Sequence, residues 1–170
     1  KISSMFNRTI TVNGLAKAFA MTGWRIGYLL SPDSDAMVQL TKMQYYVTAC
    51  SNDAMQYAVL EAMEKASNYP SEMCAEFKGR RDLICKRLNA MPRVSCNVPT
   101  GAFYVFPKFD IPEYTSEELA MKMLEGGVLC SPGTAFGAAG EGHLRFAYTI
   151  GREDISRGMD RVEEVLSKLV

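Results

Sequence analysis

Apolar residues recur with different periods along this chain, and each change of period marks a predicted element. β-branched residues fill positions 9–12 and a second apolar run covers 26–30, which predicts two short buried strands around an irregular segment. Steps of three and four residues then predict three helices. These helices run from the capping cluster at 32–35 to about Thr48, from the cluster at 51–53 to a break at 67–70, and from that break to Pro92.

After Pro92 the pattern changes to short β-prone runs separated by turns. Helices are predicted from Thr115 to about Glu125, closed by Gly126 and Gly127, and from Gly151 to the end of the chain. Strands are predicted at 94–96, 102–106, 128–130 and 143–148, with a glycine-rich loop at 131–142 and a loop or frayed helical end at 1–8.

This order of elements predicts an α/β fold with two domains, 1–75 and 76–170. The boundary is placed inside the long third helix, because strand chemistry of a different style starts just after that helix. The first part contains too few strands to close a core. We therefore expect it to need partner strands that this chain lacks. The chain also begins at Lys1 without a methionine, which favours a segment of a longer protein.

Charge and hydropathy exclude several classes of protein. Nineteen basic residues balance nineteen acidic ones, so no net charge favours nucleic acid or an anionic membrane surface. No apolar run has the length that a bilayer requires, and no secretory leader is evident. We expect a cytoplasmic protein with no nucleic-acid or membrane partner.

The five cysteines are odd in number and widely spaced, and His143 is the only histidine. No Cys-x-x-Cys pair occurs, so neither a metal site nor a disulfide framework is predicted. We expect reduced and mostly buried thiols. The cysteines are Cys50, Cys74, Cys85, Cys96 and Cys130.

Two cations stand out between the first two predicted strands. Lys17 lies among apolar neighbours, and desolvation together with a nearby guanidinium would favour its neutral amine, a nucleophile towards carbonyl groups. Arg25 lies at a strand mouth among glycine turns, which suits a phosphate. Fully extended, the eight residue steps from Lys17 to Arg25 would span roughly 26 to 29 Å, too far for both side chains to reach one small molecule comfortably. The turn signals Asn13-Gly14 and Thr22-Gly23 could fold this segment back on itself.

A third cation, Arg145, lies between Leu144 and Phe146 in the last predicted strand, where we expect burial. A buried arginine needs an anionic partner, which can be a protein carboxylate or a substrate carboxylate. Structural alternatives stay open for the other two cations: Lys17 can extend to water from a loop, and Arg25 can pair with a carboxylate.

The combined motifs resemble a known family. The stretch Asn13-Gly14-x-x-Lys17-x-Phe19-x-Met21-x-Gly23-x-Arg25-x-Gly27 closely resembles the lysine signature of class I aminotransferases, the fold-type-I pyridoxal-phosphate enzymes, and particularly their bacterial aspartate-aminotransferase-like subgroup. The similarity continues through 99–104, 131–137 and 144–148, and it spans essentially the whole chain.

This resemblance implies a role for each cation. Lys17 matches the lysine that holds pyridoxal 5'-phosphate covalently and later moves the α-proton as a base. Arg25 matches the arginine that binds the cofactor phosphate, and Arg145 matches the arginine that grips the substrate α-carboxylate. The implied activity is amino-group exchange between an amino acid and a 2-oxo acid, in a cytoplasmic homodimer of amino-acid metabolism and biosynthesis.

The chain also departs from the family pattern. Ala16 and Gly14 stand where many relatives carry a serine, and no arginine follows at 48–52 to recognise a side-chain carboxylate, so no dicarboxylate preference is predicted. The resemblance makes this chain the C-terminal portion of an aminotransferase: the end of the large three-layer α/β cofactor domain in 1–75, and the small α+β domain in 76–170. The groups that tune the cofactor ring would precede Lys1, so we expect the fragment alone to be inactive.

Two alternatives remain open at the level of sequence. One is a non-catalytic aminotransferase-like module that binds a ligand or serves regulation. The other is a lyase or an acyltransferase on the same fold. Measured amino-group transfer by the intact protein eliminates the first alternative, and product analysis separates the second.

Overall fold

The computed structural model describes residues 3–169, and the chain divides into two compact units. The first unit ends at Glu72 and the second begins at Met73, so the division falls inside the long helix α4, which spans Tyr69–Asn89. The domain boundary expected at residue 75 lies in the same helix. The assignment of the two parts to a cofactor domain and a small domain stays a prediction.

In the first unit, a two-stranded antiparallel ribbon precedes two helices. Strand β1 pairs with strand β2 through Thr11↔Leu30 at one end and Gly14↔Gly27 at the other. A 3₁₀ helix at Ser3–Arg8 lies within the stretch predicted as a loop or frayed helical end, and residues 1–2 of that stretch lie outside the described residues. The elements are β1 (Thr11–Gly14), the single-turn α1 (Leu15–Ala18), β2 (Gly27–Leu30), α2 (Ser34–Thr48) and α3 (Asp53–Lys65).

The prediction of buried strands is wrong for this ribbon. Strand β1 begins two residues later than the β-branched run, and Val12 is 74% exposed. Within residues 3–169 the ribbon has no third strand. β-branched side chains form a strand here without being covered, because their restricted χ1 suits an extended backbone on an exposed ribbon as well.

Helices α2 and α3 begin at the predicted capping clusters. The Asp33 carboxylate accepts a hydrogen bond from the Ala36 amide at 2.9 Å, and the Asn52 side chain accepts one from the Met55 amide at 3.2 Å. Neither helix contains a buried residue. Their exposed apolar side chains are Val38, Met43, Tyr45, Tyr46, Val47, Tyr57, Leu60 and Met63.

The break predicted at 67–70 is correct for residues 67–68 and wrong for Tyr69 and Pro70, which already belong to α4. Proline is tolerated in a first helical turn, where the amide that it lacks would have no intrahelical partner. The proline that suggested a break therefore lies inside the beginning of the helix.

The second unit combines three helices with short antiparallel strands. Strand β3 pairs with β5, and β7 lies between β4 and β6. Besides its share of α4, the unit contains β3 (Val94–Ser95), β4 (Tyr104–Val105), β5 (Lys108–Phe109), α5 (Ser116–Glu125), β6 (Ser131–Pro132), β7 (Leu144–Ala147) and α6 (Arg152–Ser167).

Two strands differ from the prediction. The sequence pattern did not indicate β5, which follows Pro107, and β6 starts at Ser131 instead of Val128. The amides of Gly127 and Val128 donate to the carbonyls of Leu124 and Met123, at 2.9 and 2.8 Å. These two bonds form a Schellman cap on α5, with Gly127 left-handed at φ +79°. Capping therefore uses the Val128 amide that a strand would need.

The core of the second unit is closed. Helix α5 begins after Thr115, as predicted, with a capping box in which Thr115 and Glu118 satisfy each other's backbone amides. Helix α6 faces inward through buried residues that include Ile155, Met159 and Val162. The most deeply buried residues of this core include Ile84, Leu88, Val105, Phe109, Ile111, Leu119, Met123, Leu144, Tyr148 and Val162. Within residues 3–169, no helix is both long enough and apolar enough to cross a bilayer.

The thiols differ more in burial than the sequence indicates. Cys85 and Cys96 are buried with their sulfur atoms 3.9 Å apart, whereas Cys50 and Cys74 are exposed and Cys130 is half-buried. All five are free. Burial raises the pKa of Cys96 to about 12 and that of Cys130 to about 11.

Truncation of Leu119, which is fully buried in α5, should lower the free energy of unfolding by roughly 2–5 kcal/mol. Met121 lies on the same helix and is 55% exposed, so Met121→Ala should change that free energy by less than about 0.5 kcal/mol. Urea denaturation of the chain, followed by circular dichroism, compares Leu119→Ala with this control. Equal losses in the two variants would contradict the packing of α5.

Alkylation at about pH 8 should modify Cys50 and Cys74 first. Because burial raises the pKa values of Cys85, Cys96 and Cys130, their reactive thiolate form should be scarce at that pH. Peptide mapping after iodoacetamide treatment measures the order, and the same treatment in urea should label all five cysteines. Early labelling of Cys96 in the folded chain would contradict its burial.

Candidate functional site

The β1–β2 ribbon brings the two candidate cations of the first unit, Lys17 and Arg25, to the same end. Gly14 pairs with Gly27, and the Leu15 amide donates to the Ile26 carbonyl at 3.4 Å. Lys17 lies three residues after Gly14, and Arg25 lies two residues before Gly27. Because the two strands pair, the chain between Lys17 and Arg25 folds back on itself. These two residues are therefore not held apart by the length of an extended segment.

Close approach of the two strands requires glycine at one position. A Cβ atom on Gly27 would lie 2.6 Å from the Asn13 carbonyl oxygen and 3.3 Å from the Gly14 Cα. Both contacts are shorter than ordinary van der Waals separations, and both involve backbone, which cannot rotate away. Gly27 in the recognised motif is therefore a packing requirement of the ribbon.

Arg25 follows a 3₁₀ turn at Thr22–Trp24 and has a left-handed backbone with φ +52°. Its Nη1 donates to the Thr22 carbonyl at 3.1 Å, and the side chain is exposed. Within residues 3–169 no Asp or Glu forms an ion pair with it. The carboxylate-paired alternative for Arg25 thus finds no support in the described part of the chain.

Lys17 lies in the short helix α1 with an exposed side chain. The expectation that apolar neighbours desolvate this lysine is wrong for the described chain. Leu15 turns inward and is buried, but a single helical turn cannot cover the side chain two residues further along.

A groove of about 600 Å³ runs between the ribbon and α2, and Arg25 lines it. Asn13 and Tyr28 lie on the ribbon side, where the Asn13 Nδ2 donates to the Tyr28 hydroxyl at 3.1 Å. The Asn13 Oδ1 also accepts a hydrogen bond from the Gly14 amide at 2.8 Å. Asn13 thereby links the two strands next to the paired glycines.

In the second unit, the register of the three-stranded sheet determines where Arg145 lies. Leu144 and Phe146 of β7 are buried in the core, so alternation along the strand places Arg145 on the other face. Cross-strand pairing puts Tyr104 opposite Ala147 and Ser131 opposite Arg145. Arg145, Tyr104 and Ser131 consequently share the face that points away from the core.

Arg145 is half-buried, and its guanidinium contacts three polar or aromatic groups. Its Nη2 donates to the Ser131 hydroxyl at 3.1 Å, and its Cζ lies 4.5 Å from the ring centroids of both Tyr104 and Phe136. Among residues 3–169 it forms no ion pair with Asp or Glu. The anionic partner that a buried arginine needs is therefore not a carboxylate of the described chain.

Sequence reasoning assigned no role to Tyr104, Ser131 or Phe136. Two of these residues reach Arg145 through strand register, and Phe136 reaches it through a 3₁₀ turn at Gly133–Phe136 that follows β6. The signal that could have identified Ser131 and Tyr104 is the alternation along β7 combined with antiparallel pairing. That signal becomes usable only when the pairing partners are known.

Comparison with known proteins places these features in a family. The family model described as aminotransferase class I and II matches residues 2–162. The aspartate aminotransferase of Pyrococcus abyssi is 44% identical over 97% of this chain, and the aromatic-amino-acid aminotransferase 2 of Thermococcus litoralis is 41% identical over 98% of it. The chain spans only 43% of the length of each of these relatives.

Solved structures give the same assignment. The crystal structure of an aromatic aminotransferase from Pyrococcus horikoshii matches 99% of this chain with a TM-score of 0.92 and 41% identity, and 46% of that structure is covered. The aspartate aminotransferase from Rhizobium meliloti matches with a TM-score of 0.90 and 31% identity, over 99% of this chain and 44% of its own. The chain, with its mixture of helices and short strands, belongs to the class I and II aminotransferase family.

Proposed function

We propose that the intact protein transfers an amino group between an amino acid and a 2-oxo acid with pyridoxal 5'-phosphate, and that this chain carries part of its active site. The observation that carries this proposal is the Gly14↔Gly27 pair, which brings Lys17 and Arg25 to one end of the ribbon. Relatives named aspartate and aromatic-amino-acid aminotransferases support the reaction class.

The donor groups of the first unit fit this cofactor. Arg25 presents an exposed guanidinium whose described partner is a carbonyl oxygen, so its charge remains available for a phosphate. Lys17 presents a primary amine, the group that combines with an aldehyde. We therefore assign the cofactor carbonyl to Lys17 and the cofactor phosphate to Arg25.

The cofactor, when bound, supplies an electrophilic carbonyl and a ring that withdraws electrons from the substrate. The chain supplies the remaining functions. Lys17 would hold the cofactor between turnovers, and its Nζ would accept and return the α-proton of the substrate as a base. Arg25 anchors the cofactor through its charge.

Arg145 binds the α-carboxylate of the substrate in this proposal. Its guanidinium is half-buried and donates one Nη2 hydrogen bond to Ser131. A planar guanidinium can donate two parallel hydrogen bonds to a carboxylate, which both binds and orients it. A free amino acid and a 2-oxo acid share this carboxylate, so one arginine serves both substrates.

The family also supports proposals about the domains, the location and the assembly of the intact protein. We assign 1–75 to the cofactor domain and 76–170 to the small domain, and we propose that the intact protein is a cytoplasmic homodimer acting in amino-acid biosynthesis. The exposed apolar side chains of α2 and α3 support a further protein surface that covers them. Sedimentation of the intact protein tests the dimer.

Borohydride reduction of the intact, cofactor-loaded protein should attach the pyridoxyl group to Lys17. Peptide mapping identifies the modified lysine, and modification at any other lysine would reject the assignment. Lys17→Arg should lower kcat by at least about 10²-fold, because arginine is neither a nucleophile nor a base at neutral pH. The matched control is Lys42→Arg, at an exposed position of α2, which should leave kcat within about twofold.

Arg145→Lys in the intact protein should raise KM for the amino acid and for the 2-oxo acid together. Lysine retains the charge but loses the bidentate geometry, so we expect an increase of roughly 10- to 100-fold. Steady-state kinetics with both substrates measures the effect. Arg87→Lys is the control, because Arg87 already pairs with Asp160 at 2.7 Å. An unchanged KM in Arg145→Lys would remove the proposed role of Arg145.

A further inference from the structure

We propose that Tyr104 and Phe136 are positioning residues that hold the Arg145 guanidinium ready for the substrate carboxylate. This inference rests on the proposed function of Arg145. We call the two rings the aromatic clamp. Both ring centroids lie 4.5 Å from the Arg145 Cζ, within the range of a strong cation–π contact.

Other arginines of the second unit show why this environment is unusual. Arg80 donates to Glu76 at 2.8 Å, and Arg87 donates to Asp160 at 2.7 Å. These arginines are neutralised by carboxylates of the chain itself. Arg145 is half-buried yet has only ring faces and the Ser131 hydroxyl as partners in the described interactions.

Ring faces stabilise a cation without neutralising it. Their quadrupoles attract the guanidinium, while the N–H groups in the guanidinium plane stay available for an acceptor. A carboxylate partner would occupy those N–H groups and compete with the substrate. The clamp thus compensates for the partial burial of Arg145 and leaves its bidentate edge for an external carboxylate.

The two rings are themselves held in place. Tyr104 lies in β4, pairs with Ala147 and packs on Phe103 at a centroid distance of 4.6 Å. Phe136 meets the Phe106 ring edge-on at 6.0 Å, and Phe106 stacks on His143 at 4.9 Å. A clamp supported in this way restricts the rotamers of Arg145 before any substrate arrives. Preorganisation of this kind favours affinity, because less conformational freedom is lost on binding.

Leucine substitutions test the clamp in the intact protein. Phe136→Leu and Tyr104→Leu should each raise KM for both substrates about 2- to 30-fold, the range of a cation–π contact, while kcat changes less than twofold. Phe136→Tyr and Tyr104→Phe each keep an aromatic ring, so KM in these variants should stay within about twofold of the parent value. Tyr114→Leu is the control, because Tyr114 is also a half-buried aromatic residue but packs against the core. The KM of the Tyr114→Leu variant should stay unchanged.

A spectroscopic measurement on the 170-residue chain supplies a readout independent of activity. The guanidinium protons of Arg145 should show an upfield ring-current shift in NMR spectra, assigned by comparison with Arg145→Lys. Phe136→Leu and Tyr104→Leu should each reduce this shift, and Tyr114→Leu should not. Circular dichroism confirms that each variant is folded, and Phe136, being exposed at the surface, is the position least coupled to folding.

The outcomes separate the clamp from the function on which it rests. If Arg145→Lys raises KM but the leucine variants leave both KM and the Arg145 resonances unchanged, the clamp is wrong and the proposed function stands. If Arg145→Lys leaves KM unchanged, the proposed role of Arg145 fails and the clamp fails with it. A loss of kcat without any change in KM in the leucine variants would also overturn the clamp.

Discussion

The alternation of side chains along β7 is the constraint on which the candidate site of the second unit depends. Leu144 and Phe146 enter the closed core, and this burial determines the face on which Arg145 lies. A register shift by one residue would bury the guanidinium and expose two core residues, which the apolar burial opposes strongly. The core that includes α5 and α6 therefore positions a charged group on the opposite face of β7.

The first unit is stabilised in a different way. Of its described side chains only Leu15 is buried, and α2 and α3 present their apolar residues on exposed surface. Its candidate site depends on backbone pairing, since the Gly14↔Gly27 pair and the close approach at Gly27 bring the Lys17 and Arg25 segments together. Hydrogen bonds of an exposed two-stranded ribbon contribute little stability by themselves. The chain spans less than half the length of its relatives, in agreement with a unit that lacks a core of its own.

Local sequence signals predicted the helices well because caps act within a few residues. Asp33, Asn52 and Thr115 begin their helices as predicted, through hydrogen bonds to amides three residues away. The signals failed where two local rules competed. At Val128 the Schellman cap prevailed over β propensity, and at Pro70 the tolerance of a first helical turn prevailed over helix breaking.

By itself, the sequence determined the family and the identity of the three candidate cations, because a lysine and an arginine at this spacing among glycines depend only on the order of residues. The tertiary structure decided their surroundings. It showed Lys17 exposed rather than desolvated, and it placed Arg145 against Tyr104, Phe136 and Ser131. The physical reason is that burial and side-chain contact arise from strand register and core packing between segments distant in sequence. Such contacts leave no periodic or local signal along the chain.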